Sequence, residues 1–333
     1  MKKKILVTGS EGFIGSHLVE YLVKKGYSVK ALVYYNSFNN KGWLEKIDDK
    51  ILSEIEIIFG DIRNIDSTNS AVQNCKSVLH LASLIGIPYS YDTPQSYLDT
   101  NIKGTLNLLQ SSLSANIENF VHTSTSEVYG KSSKFPIDEN QPLIGQSPYS
   151  ASKIAADQLA YSFYSSFNFP VRIIRPFNTY GPRQSLRAII PTIISQVLYS
   201  DTDNIRLGAL KPKRDLTFVA DTVRAFEMML RNKDINGEVI NIGSGFEIQI
   251  KVLAKLIAKL CGKKIMFISD KERIRPLNSE VKRLLCDNKK AKKILKWSPN
   301  YTKLNGLEQG LKDTIDWMKN NSDNSFKQQR YIK

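Results

Sequence analysis

Tyr149 and Lys153, in the run Tyr149-Ser150-Ala151-Ser152-Lys153, stand four residues apart and could together move a proton. On a helix that spacing puts both side chains on one face. A free tyrosine has a pKa of about 10 and is a poor base at neutral pH. A neighbouring ammonium favours the phenolate, so Lys153 is expected to lower the Tyr149 pKa. The pair could then take a proton from an alcohol while hydride leaves the same carbon. Taken alone, the same spacing also describes an exposed helical pair. A second candidate is Glu127, in Thr123-Ser124-Thr125-Ser126-Glu127-Val128-Tyr129-Gly130. A carboxylate can remove a proton from a carbon that an adjacent ketone has made acidic. The bland alternative for Glu127 is a loop carboxylate.

Alcohol oxidation needs a hydride acceptor, and the N-terminal run Thr8-Gly9-Ser10-Glu11-Gly12-Phe13-Ile14-Gly15 offers a place for one. Gly9 permits a tight turn, Gly12 lets backbone approach a pyrophosphate, and Gly15 allows close packing of the following helix. The N–H groups at that helix start would face the phosphates. Gly9, Gly12, Phe13, Ile14 and Gly15 are therefore expected to bind a nicotinamide dinucleotide. The cofactor reads as NAD(P). Tyr34-Tyr35-Asn36-Ser37 follows the second strand and has neither a carboxylate for the ribose 2′-hydroxyl nor an arginine for a 2′-phosphate.

These groups must be held by a scaffold. Apolar runs at 4–8, 29–33, 55–59, 77–81, 119–123 and 171–175 read as strands, separated by helical patterns such as 14–25 and 101–115. Strands alternating with helices predict an α/β fold, a Rossmann-type doubly wound parallel sheet. The expected division is a dinucleotide-binding domain over residues 1–175, joined by a later strand near 239–242. A smaller α/β C-terminal substrate domain would occupy mainly 176–333. A helix is expected near 250–261. Residues 263–333 read as basic and loop-rich, and the polar tail from 320 as frayed.

Composition narrows the class. The 333 residues are 41% hydrophobic and 24% charged, ordinary for a soluble globular chain, and no run approaches a membrane span. Residues 2–4 read as a solvated lead-in to the first strand, and the protein as cytoplasmic. The net charge of +15 comes from scattered lysines without a nucleic-acid motif, and suits an anionic small molecule. Cys75, Cys261 and Cys286 are odd in number and far apart, so neither a disulfide framework nor a metal site is expected. His17, His80 and His122 read as packing or hydrogen-bonding residues.

With these motifs on the page, the chain resembles the extended short-chain dehydrogenase/reductase family, also called the NAD-dependent epimerase/dehydratase family, over nearly its whole length. Gly60-Asp61-Ile62-Arg63, His80-Leu81-Ala82, residues 101–105 and the run Arg175-Pro176-Phe177-Asn178-Thr179-Tyr180-Gly181-Pro182 share in the resemblance. It implies that Asp61 and Ile62 flank the adenine, Ala82 lines the cofactor channel and Asn178 meets the substrate. It further implies that Arg214 and Arg275 hold the diphosphate or ribose of a nucleotide-diphosphate sugar, with Glu280 on the ribose. Arg273 shares that segment, with a surface salt bridge as its alternative.

Nucleotide-sugar 4,6-dehydratases carry Thr-Asp-Glu or Thr-Ser-Glu before Val-Tyr-Gly, and Thr125-Ser126-Glu127 is similar to the form in GDP-mannose 4,6-dehydratase. The implied catalytic set is Thr125, Ser126, Glu127, Tyr149 and Lys153, with NAD(P) tightly bound and regenerated in each cycle. Serine is a poor acid, which leaves the proton donor for the C6 hydroxyl open between other groups and a protonated Glu127. Residues 35–39, 42–44 and 84–91 resemble the sugar-nucleotide 4,6-dehydratases of legionaminic acid biosynthesis. This implies a nucleotide-linked N-acetylglucosamine, in the GDP form, and a homodimer paired through helices 101–115 and 149–167. A nucleotide-sugar 4-epimerase is the rival enzyme reading, and a non-catalytic dinucleotide sensor the third.

Overall fold

Short apolar runs become the strands of a parallel sheet flanked by helices, the central ones buried on both faces and the edge strand Ile55–Gly60 only partly buried. In the computed structural model, which describes residues 4–232 and 234–321, these are β1 (Lys4–Thr8), β2 (Ser28–Tyr34), β3 (Ile55–Gly60), β4 (Ser77–His80), β5 (Asn119–Thr123) and β6 (Val171–Pro176). There follow β7 (Asn178–Tyr180), β8 (Asn204–Leu207), β9 (Lys213–Phe218), β10 (Val239–Ile242), β11 (Glu247–Gln249) and β12 (Met266–Ser269). Every residue of β4 and of β6 is buried.

Seven strands form one parallel sheet in the order β10-β6-β5-β4-β1-β2-β3. The chain runs outward from β1 through β2 to β3, then returns to the other side of β1 with β4. In sheets of this kind the crevice for ligands opens at that reversal, beyond the carboxyl ends of the strands. Thr8 ties the two ends together: its hydroxyl accepts from the Leu81 and Ala82 N–H groups, each at 3.1 Å, and meets His80 Nδ1 at 2.8 Å. The loops that leave β1 and β4 are thereby fixed side by side. Strand β10 pairs with β6, with Val239 opposite Ile173. A three-stranded sheet, β11-β9-β7, and a two-stranded one, β12-β8, lie apart from the main sheet.

The helix Phe13–Lys24 buries Gly15, Leu18, Val19 and Leu22, a stripe of helical period facing the sheet. The helix Pro148–Phe167 starts sharply. Ser147 and Ser150 form a reciprocal capping box, proline stands in its first turn, and Asn168 ends it in the left-handed conformation.

One expectation is corrected. The stretch from 263 is not loop-rich throughout, because an 18-residue helix, Lys303–Asn320, occupies part of it. It buries Leu307, Leu311, Ile315 and Met318, an i, i+4, i+8, i+11 stripe that polar and charged neighbours obscure in the sequence. The expected lead-in at Lys2 and Lys3 and most of the expected frayed tail, 322–333, lie outside the described residues. Among the described residues all three cysteines are free.

Candidate active site

The capped start of helix Pro148–Phe167 brings Tyr149 and Lys153 onto one buried face beside the end of β5. Lys153 Nζ donates to the Thr123 carbonyl at 2.6 Å. Burial lowers the Lys153 pKa to about 8, and Asp157, one turn on, pulls it back upward. Asp157 is itself buried, which favours its neutral form. His122, Arg175 and Ser124 outweigh that and hold it below the usual carboxylate range. Ser124 Oγ donates to it at 2.7 Å, and Arg175 donates through Nε at 3.1 Å and Nη2 at 2.9 Å.

The direction expected for Tyr149 is reversed. Burial pushes its phenol above the ordinary value and the Glu127 carboxylate adds to the rise, while a hydrogen bond with Thr125 works against both. Lys153 does not compensate, because its ammonium is aimed at the Thr123 carbonyl and is itself destabilised by burial. In the protein alone burial thus favours the protonated phenol, and a positive charge brought beside it would favour the phenolate.

Thr125 caps the short turn Ser126–Tyr129 by accepting from the Glu127 N–H at 3.2 Å. The turn sends Thr125 and Glu127 to the cleft, while Ser126 is buried and does not line it. That cleft, of about 1410 Å³, is also lined by Tyr149 and Lys153, by Gly9, Gly12, Phe13, Ile14 and Gly15, and by Asp61, Ile62 and Ala82. Asn178, Arg214, Arg275 and Glu280 line it as well. Ser126 is the one residue singled out from the sequence that stands away from it.

The glycine turn fits a dinucleotide. Gly9 has φ +67°, and a Cβ there would lie 2.8 Å from the Ala82 nitrogen. A Cβ on Gly15 would lie 2.0 Å from the Gly9 carbonyl oxygen, with backbone on both sides and no flexible group to yield. Gly15→Ala is therefore expected to cost about 1–3 kcal/mol through overpacking and to abolish dinucleotide binding. A thermal melt together with a dinucleotide titration checks this; an unshifted melt with normal binding would contradict it. Asp61 is held by Arg63, whose Nε and Nη2 reach its carboxylate at 2.6–3.0 Å.

Elsewhere in the cleft, Arg214 Nη2 pairs with Glu280 Oε1 at 2.9 Å. Burial lowers the Arg214 pKa, and the carboxylates of Glu127 and Glu280 oppose that, so Glu127 and Arg214 are within electrostatic reach of one another. Arg275 Nη1 is buried without a hydrogen-bond partner among the described residues, as a group awaiting an anion would be. Arg273 Nε donates to Asp270 at 2.9 Å and still lines the cleft. The 84–91 segment, which enters a short helix at Ile87, is fixed at both ends: Asn101 binds Leu84 through N–H and carbonyl, and the Tyr91 hydroxyl meets Ser279 Oγ at 2.6 Å.

Sequence reasoning assigned no role to Glu11, Arg183 or Arg187, all of which line the cleft. Arg183 directly follows the Gly181-Pro182 pair, adopts φ +66° and binds Glu20 at 2.7 Å. The positive φ of a non-glycine residue is visible only in the structure. His17, His80 and His122 serve the framework. His80 bridges Thr8 and Thr105, and burial with the nearby His122 holds it neutral.

A glycine turn at the switch point of a parallel sheet, facing a buried tyrosine–lysine pair, defines a short-chain dehydrogenase/reductase of the extended kind. The sequence pattern of the family described as GDP-mannose 4,6-dehydratase matches residues 6–313, and the chain belongs to that family. The low-salt glycan biosynthesis protein Agl12 of Haloferax volcanii is 31% identical, over 94% of this chain and 97% of its own. The dTDP-glucose 4,6-dehydratase DesIV of Streptomyces venezuelae, solved with NAD bound, superimposes with a TM-score of 0.84 at 27% identity, covering 96% of this chain and 97% of that one. The UDP-glucuronic acid 4-epimerase of Bacillus cereus, in complex with UDP-glucuronic acid and NAD, gives 0.84 at 31% identity, covering 95% and 99%. Dehydratases and epimerases are thus both relatives.

Proposed function

We propose that this chain is an NAD-dependent nucleotide-sugar 4,6-dehydratase that converts GDP-linked N-acetylglucosamine to its 4-keto-6-deoxy derivative, for surface-glycan sugars of the legionaminic acid type. The observation that carries the reaction is Glu127, which lines one cleft with Tyr149 and acts electrostatically on both Tyr149 and Arg214. An epimerase needs only to oxidise C4 and re-reduce the ketone from its other face. A dehydratase also needs a base at C5, and in this reading that role falls to Glu127, which lines the cleft with Tyr149.

When bound, an oxidised nicotinamide supplies the acceptor for the C4 hydride, its later donor to C6, and the positive charge that favours a phenolate. The chain's residues do the rest. Thr125 and Tyr149 hydrogen-bond the C4 hydroxyl, and Tyr149, with Lys153 behind it, takes its proton. Glu127 removes the C5 proton as water leaves C6. Arg214, Arg275 and Glu280 hold the nucleotide diphosphate, and Asn178 the sugar side. Gly9, Gly12, Phe13, Ile14, Gly15, Asp61, Ile62 and Ala82 hold the dinucleotide. Ser126 Oγ is buried without a hydrogen-bond partner among the described residues and does not line the cleft, so it is not the acid for the C6 hydroxyl. Glu127, once it carries the C5 proton, passes that proton to the C6 hydroxyl, which leaves as water.

The choice of N-acetylglucosamine and of GDP rests on the resemblance of residues 35–39, 42–44 and 84–91, of which Gly42, Trp43 and Leu84 to Tyr89 line the cleft. Residues 1–175 with β10 form the dinucleotide half in this reading, and most of 176–333 the substrate half. Among the described residues no helix is long and apolar enough to cross a membrane, and the proposed setting is the cytoplasm. Incubation with GDP- and UDP-linked sugars, followed by mass spectrometry, tests the assignment. Loss of one water from the GDP sugar supports it, an isomer of unchanged mass supports the epimerase, and no product at all supports a sensor. A homodimer paired through helices 101–115 and 149–167 is also expected, with Tyr161 and Phe167 exposed on the second of them. Light scattering should give twice the chain mass, and a monomer alone would contradict it.

A further inference from the structure

The end of β2 is where a carboxylate would receive the ribose 2′-hydroxyl of NAD, and this chain has Tyr34 and no acid there. The structure supplies one from another direction. Glu11, inside the glycine turn, reaches across so that its Oε1 accepts from the Tyr34 N–H at 3.0 Å. Its Oε2 is buried without a hydrogen-bond partner among the described residues, and the residue lines the cleft. The position is braced from behind. The Trp43 N–H donates to the Glu11 carbonyl at 3.0 Å. Gly42, at φ +57°, packs so closely that a Cβ there would come within 2.7 Å of that carbonyl oxygen. We infer that Glu11 is the residue that selects NAD over NADP, a reading that rests on the dinucleotide assignment above.

A buried carboxylate oxygen with an open valence gains a hydrogen bond from a ribose hydroxyl. The same oxygen repels a 2′-phosphate. Burial raises the Glu11 pKa, and its own N–H and that of Tyr34 oppose the rise, which fits a carboxylate lacking one partner. The cation best placed to attract a 2′-phosphate is Arg63, whose Nη2 donates to the Tyr34 hydroxyl at 2.9 Å. Its charge is already committed to Asp61 through contacts of 2.6–3.0 Å. Lys46 is exposed at the cleft wall and is the remaining candidate for phosphate.

The test is calorimetric titration of NAD and NADP into the full chain freed of dinucleotide, for the wild type and for Glu11→Gln, Glu11→Ala and Lys46→Ala. The wild type should prefer NAD by about 10²-fold or more, the scale on which like charge and an unmade hydrogen bond discriminate. Glu11→Gln keeps the acceptor for the Tyr34 N–H and should cut the preference at least about tenfold, with NAD weakened and NADP strengthened. Glu11→Ala, the smaller side chain in the same turn, should move the ratio the same way. Lys46→Ala should leave it unchanged. A wild type that prefers NADP, a ratio that Lys46 controls, or parallel loss of both dinucleotides in the Glu11 variants would overturn the inference. Dehydration of a nucleotide sugar by the wild type is measured separately, so the two readings fail independently.

Discussion

Replacing Glu127 by glutamine stops dehydration and leaves oxidation at C4 in place. The substitution keeps the shape of a side chain that Thr125 positions through the Glu127 N–H, so the turn Ser126–Tyr129 should persist. It removes the only basic oxygen assigned to C5. Loss of a general base typically costs about 10²–10⁴-fold in rate, and product formation should fall on that scale. Oxidation should not fall with it. The Glu127 charge is one of the influences that raise the Tyr149 pKa, so its removal makes the phenol easier to ionise. The stalled enzyme should therefore gain near-ultraviolet absorbance from reduced dinucleotide, up to one equivalent per chain, without releasing product. Full dehydration by this variant would remove Glu127 from the role of C5 base. A loss of turnover without that absorbance would mean that Glu127 acts earlier, on binding or on oxidation.

The Tyr149→Phe variant should lose both steps. Oxidation at C4 requires a group to receive the hydroxyl proton, and phenylalanine has none. Turnover should fall by about 10²–10⁴-fold, with no absorbance from reduced dinucleotide, which separates this variant from Glu127→Gln. The fold should hold. Tyr149 packs edge-on against Tyr97 at 6.2 Å between ring centres, within an apolar cluster that includes Ile87, and a phenyl ring fills the same space. Dinucleotide binding should be close to normal, because the glycine turn is untouched. Near-normal turnover would remove Tyr149 from the base role.

Much of this scaffold could be read from the chain itself, for a physical reason. The strands of a parallel sheet flanked by helices are rich in apolar residues, so β1, β5 and β10 match their expected bounds to the residue and β2, β3, β4 and β6 lie within one residue at either end. The glycine turn was legible because its spacing is tied to a strand before it and a helix after it. What escaped detection depends on distances across the fold. Glu11 looks like filler between glycines until β2 is laid beside β1 and its carboxylate meets the Tyr34 N–H. The helix Lys303–Asn320 was hidden because its buried stripe is interleaved with lysines, asparagines and acids. Ser126 was named as part of the Thr125-Ser126-Glu127 motif, yet its side chain is buried away from the cleft that Thr125 and Glu127 line. The direction of the Tyr149 shift could not follow from the Lys153 spacing alone, because burial outweighs a lysine whose ammonium points to a carbonyl.

The most direct measurement follows a label placed at C4. A GDP-linked N-acetylglucosamine carrying deuterium on C4 is converted by the wild-type enzyme, and the product is examined by nuclear magnetic resonance. If Tyr149 and Glu127 act as assigned, the deuterium leaves C4, which becomes a ketone, and reappears on the C6 methyl group of a sugar that has lost one water. Deuterium retained at C4 of a sugar of unchanged mass would show re-reduction at the same carbon, and would contradict the dehydratase assignment.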